Sequence, residues 1–165
     1  MVKKIAYLLV AAAFAVSLSA CGKQKQEEPS TQAPAPEENL ALPEKGQEAT
    51  VELPPDVKGK WKAIKVVVED KKAGKKSEMT INIGAEAAIP GSKLTIKAVD
   101  YVPSFVMQGL NITSASNEPN NPAAKVVILE GGQEVFKGWL FQKFPTTHAF
   151  THPDFAVTLA DGVKS

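Results

Sequence analysis

Two rhythms of apolar and polar residues divide this chain. From Ile5 to Val16 every position is apolar, a run of about a dozen residues that is too short to span a bilayer as a mature helix and has the length of a cleaved leader. From Lys58 onward apolar positions alternate with polar ones, which is the period of strands with one face in a core and the other in water.

The alternating part resolves into segments. Trp61 to Asp70 carries Ile64, Val66, Val67 and Val68. Lys71-Lys72-Ala73-Gly74-Lys75-Lys76 breaks the run, and Met79, Ile81 and Ile83 then alternate with Thr80 and Asn82, a hairpin pattern. Its lysine-bearing tip is read as a solvated turn that discourages edge pairing, with contact to acidic headgroups or polymer as the functional alternative. After the turn residues Pro90-Gly91-Ser92-Lys93, a strand is predicted from Leu94 to Tyr101. Phe105, Val106 and Met107 extend the apolar character, and Asn111 to Ser116 reads as a short strand before an Asn-rich loop. Ala124 to Glu130, the Gly131-Gly132 turn and Val135 to Phe141 form a second, strongly β-branched and aromatic hairpin. The last predicted strand is Phe155 to Leu159, with Phe155, Val157 and Leu159 on one face. No segment past the leader sustains a helical period, so the expected fold is all-β, a small antiparallel sandwich or barrel.

Between leader and strands the composition changes. Residues 21–57 are rich in Gln, Glu, Lys, Pro and Ala, as in Lys23-Gln24-Lys25-Gln26-Glu27-Glu28-Pro29 and Ala33-Pro34-Ala35-Pro36, with too little apolar surface to offset ordering entropy. This reads as a disordered tether whose ends lie roughly 30–35 Å apart. The expected organisation is a signal peptide over 1–20, the tether over 21–57 and the β-domain over 58–165.

Cys21, the chain's single cysteine, follows the apolar run in Leu18-Ser19-Ala20-Cys21, behind a positive start at Lys3 and Lys4. Small residues ahead of a cysteine in this place resemble the lipobox of bacterial lipoproteins. That resemblance implies acylation of Cys21, removal of residues 1–20 and attachment to a membrane on its periplasmic side. Gly22 in place of an aspartate resembles lipoproteins sent to the outer membrane. Two or more acyl chains hold a protein where a single one releases it.

Charge narrows the partners. Nineteen basic residues, all of them lysine, face eighteen acidic ones, so nothing favours nucleic acid, and bidentate recognition of phosphate by arginine is unavailable. With Cys21 consumed by lipid, no disulfide forms within one chain, and the domain must rest on an ordinary core.

Candidate chemistry concentrates near the C-terminus, in Gly138-Trp139-Leu140-Phe141-Gln142-Lys143-Phe144-Pro145-Thr146-Thr147-His148-Ala149-Phe150-Thr151-His152-Pro153-Asp154-Phe155, which holds both histidines. The stretch resembles the C-terminal signature of an uncharacterised family of bacterial envelope proteins, domain of unknown function 2155. Its members have a Gly-Trp-Met-Phe-like segment, a proline shortly after, and a His-Pro followed by an aromatic residue. Gly138, Trp139, Phe141, Pro145, His152, Pro153 and Phe155 occupy those positions, and Leu140 stands where the methionine would be. The family has no assigned activity, so the resemblance implies an envelope protein and nothing of its chemistry.

Two functional readings follow. In one, Trp139, Phe141, Phe144, His148, Phe150 and His152 belong to a surface that binds an envelope protein or polymer, with the 144–154 loop as the contact and no enzymatic activity or cofactor. In the other, His148, His152 and Asp154 serve a small metal-dependent or hydrolytic enzyme. Against the second stand Pro145 and Pro153, which break the helix that would align histidines four apart. No Gly-x-Ser-x-Gly, Ser-x-x-Lys or His-Glu-x-x-His motif occurs either. The bland reading of His152 is a turn-holding residue bonded to a backbone carbonyl, with His148 exposed.

Overall fold

The computed structural model describes residues 48–165. The leader, Cys21 and most of the expected tether therefore lie outside the described residues. Ten strands follow in chain order among the described residues: β1 (Thr50–Val51), β2 (Trp61–Asp70), β3 (Lys75–Asn82), β4 (Glu86–Ala88), β5 (Leu94–Val102), β6 (Phe105–Gln108), β7 (Asn111–Ser114), β8 (Ala123–Glu130), β9 (Gln133–Phe141) and β10 (Phe155–Lys164). The all-β expectation holds. The strands form three small sheets with the orders β10-β2-β3, β4-β5-β8-β9 and β1-β7-β6. Every pairing is antiparallel except the short parallel contact of β1 with β7.

The first two sheets share one core. Ile64, Val66 and Val68 of β2, with Val157 and Leu159 of β10, meet Leu94, Ile96 and Ala98 of β5 and Val126 and Ile128 of β8. Burying a side chain of this size contributes about 1.5–3 kcal/mol, which is why strict alternation in β2, β5, β8 and β10 fixes their register. At one side the chain passes between these sheets at Gly84, whose φ of 87° suits glycine. There Ile83 N–H donates to Lys62 in β2, and Gly84 N–H donates to Ala98 in β5.

The third sheet covers part of the other face of β5, β8 and β9. Phe105 of β6 and Ile112 of β7 pack with Val102, Ala123, Trp139 and Phe141 in a second cluster. Sheet residues between the two clusters have no wet face. Trp139, Leu140 and Phe141 are consecutive and all buried, Leu140 pointing into the first core and its neighbours into the second.

The fold differs from expectation at its edges. Structure begins ahead of residue 58, with β1 paired to β7 and Val57 fully buried. Leu53 touches both clusters. These few apolar residues sit among Glu and Pro and show no period, so only tertiary contact reveals them. β10 runs on to Lys164, because the break at Ala160 is a bulge in the ladder with β2, after which Asp161 and Gly162 pair with Lys65 and Ile64.

Tyr101 is buried at 2% exposure beside Trp61, with ring centroids 4.7 Å apart. Its hydroxyl has no hydrogen-bond partner among the described residues. Burial, and secondarily the Asp161 carboxylate, push the Tyr101 pKa well above the ordinary phenol range. The folded state thus favours the protonated phenol; this stabilisation is fully present below the unfolded-chain value of about 10 and is lost as pH rises from there toward the raised folded-state value. Above that pH the domain should lose stability by up to about 1.4 kcal/mol per pH unit from this residue. Tyr101→Phe should flatten the decline, as read from urea midpoints between neutral and alkaline pH, and an unchanged slope would refute the assignment.

Candidate functional site

The segment holding both histidines is a strap across the open side between β9 and β10. It begins at Gln142, whose side-chain amide donates to the Ala160 carbonyl of β10. It ends where Lys71 N–H donates to the Asp154 carbonyl at 2.8 Å. Between these ties Phe150 turns inward into the first core and meets Phe136 edge to face, with centroids 5.8 Å apart. Gly138 makes room for that contact, since a Cβ there would stand 2.9 Å from the Phe136 ring.

His152 continues the inner row. Its ring stacks on Phe150 and tilts against Phe155, both with centroids 5.7 Å away, and 13% of its side chain is exposed. Nδ1 accepts the Asp154 N–H at 3.1 Å, which places the ring proton of neutral His152 on Nε2, 3.6 Å from Glu130 Oε1. His152 thus holds the turn, but through an N–H and not through the carbonyl expected. Its own carbonyl accepts from Lys71 Nζ at 2.7 Å, and Asp154 pairs with Lys72 Nζ at 2.9 Å.

The expected contact surface divides accordingly. Trp139, Phe141 and Phe150 are buried and cannot present a binding face. Trp139 and Phe141 pack edge to face on Phe105, each at 5.1 Å, because the third sheet covers the side of β9 that alternation alone would leave wet. His152 is a structural clamp. Phe144 and His148 remain at the surface, on a turn closed by Thr147 N–H donating to the Phe144 carbonyl at 3.0 Å. Phe144 is 45% exposed, and His148 is the one non-glycine residue with positive φ among the described residues, at 49°.

Among the described residues no three His, Cys, Asp or Glu side chains are grouped to hold a metal ion, and Asp154 is committed to Lys72. Lys71, Lys72 and Glu130 were missed as partners of the strap. Lys71 and His152 are 81 residues apart in sequence, so no local pattern could join them.

Comparison with protein-family models, with curated proteins and with solved structures returns no match for this chain. Its reading rests on its own residues.

Proposed function

We propose that this is a lipid-anchored, non-enzymatic binding domain of the bacterial envelope, joined to its membrane through acyl chains on Cys21. The turn over residues 143–149 makes the contact with a protein or polymer partner. The observation that carries this reading is a large aromatic residue, Phe144, left in solvent on a strap that is otherwise pinned at both ends. Fixing the backbone beforehand lowers the entropy lost on docking, and an exposed aromatic side chain supplies the apolar anchor that interface hot spots use. The Leu18-Ser19-Ala20-Cys21 motif supports the address.

The test compares membranes from cells making the full chain with three variants. Cys21→Ser should shift the protein to the soluble fraction without fatty-acid label. Phe144→Ala should leave the unfolding free energy within about 0.5 kcal/mol of wild type and remove a crosslinked species that Thr80→Ala, on the far sheet, retains. Full fatty-acid labelling of Cys21→Ser would reject the anchor, and crosslinking indifferent to Phe144 would reject the contact.

A further inference from the structure

The outer face of the β4-β5-β8-β9 sheet is only half covered by the described residues. β1, β6 and β7 seal the end at Val102, Ala123, Trp139 and Phe141. Beyond Trp139 the ladder continues with Val127 opposite Lys137 and Leu129 opposite Glu134, with Val135 at the bulge. Val127 and Leu129 are half-buried, and Val135 keeps 45% of its surface in solvent. These side chains form an apolar strip, bordered by Lys97 opposite Val127 and by Lys125 opposite Trp139.

The chain enters the described fold beside this strip. Thr50 and Val51 pair with β7, Ala49 packs against the Trp139 cluster, and Glu48 is ion-paired with Lys137. Followed backwards, the backbone therefore leaves the sealed end and heads toward Val127, Leu129 and Val135. The residues immediately upstream are Asn39-Leu40-Ala41-Leu42-Pro43-Glu44-Lys45-Gly46-Gln47. Leu40 and Leu42 are the only large aliphatic side chains between Cys21 and Val51, and a tether meant only for reach has no use for them. Six extended residues span at most about 20 Å, while successive same-face positions on a strand lie about 7 Å apart. Leu42 can thus reach the strip, and Pro43 and Gly46 supply turn chemistry for folding back onto it. Glu44 is opposite in charge to the bordering lysines.

We propose that residues 39–47 dock on this face, with Leu40 and Leu42 covering Val127, Leu129 and Val135. The strip is then occupied by the chain's own segment, and the free tether ends near Glu38. This inference does not depend on the partner contact at Phe144.

The test uses the mature chain with Cys21→Ser, so that an introduced thiol is the only one. Maleimide labelling of Val135→Cys should speed up about tenfold when Leu40→Ser and Leu42→Ser are added, as expected when a locally docked segment is released, while Thr80→Cys on the far sheet labels at one rate in both backgrounds. In a second arm, Leu42→Cys with Val135→Cys should form an intramolecular disulfide faster than Leu42→Cys with Thr80→Cys. Equal labelling with and without the leucines would overturn the proposal. Protection that grows with protein concentration would also overturn it, because a second copy would then be the occupant.

Discussion

Phe141→Ala is expected to cost about 3–5 kcal/mol of folding stability, the range for removing a buried aromatic side chain from a packed core. Phe141 is 2% exposed, faces Phe105 edge to face at 5.1 Å, and shares its cluster with Val102, Ile112, Ala123 and Trp139. The third sheet is small, so little else holds it to the face of β9. A loss of this size is a large fraction of the roughly 5–15 kcal/mol that keeps a domain folded. Urea unfolding should show a sharply lower midpoint for Phe141→Ala, while Phe144→Ala stays close to wild type. The contrast matters because a simple surface reading of this aromatic stretch treats the two rings alike. If Phe141→Ala unfolds at the wild-type midpoint, the second cluster is not the cement described above, and Phe141 returns to the list of contact residues.

Most strands were legible because one period governed them. β2 matches its expected bounds, and β5, β8 and β9 depart by one or two residues, since apolar residues on the face toward the first core recur at every second position along most of their length. Legibility failed wherever a segment was buried on both faces or held only by distant partners. Trp139-Leu140-Phe141 has no alternation to read, so its rings looked available for binding. β1 is two residues long and β4 three, each defined by a partner strand far along the chain or across a bend. The Gly-Trp-Leu-Phe and His-Pro-Asp-Phe elements, which suggested chemistry, mostly do packing. Gly138 admits Phe136, Phe136 meets Phe150, and His152 lies between Phe150 and Phe155. Of the candidate contact residues in that stretch, Phe144 and His148 are what the packing leaves over, and their exposure is visible only once the strap's route between β9 and β10 is known.

Gly162→Ala should be the second most damaging single change, although it adds one methyl group near the chain's end. A Cβ at residue 162 would lie 2.3 Å from Tyr101 Cζ and 2.7 Å from its hydroxyl oxygen. Carbon atoms in contact sit about 3.5–4.0 Å apart, so the ring must move by more than an ångström or β10 must lift from β2. Neither is easy, since Trp61 lies 4.7 Å from the Tyr101 ring and Gly162 is paired with Ile64. Overfilling of a tight core typically costs about 1–3 kcal/mol, and the upper end applies where the obstructed ring is fully enclosed. The backbone at Gly162 is not left-handed, and the cost is therefore steric. That makes it removable: in a Tyr101→Leu background the same methyl group meets a shorter side chain. A double-mutant cycle on urea midpoints should give a coupling of about 1–2 kcal/mol between the two positions. Additive losses would show that Gly162 is needed for its backbone at the bulge and not for the space it leaves to Tyr101.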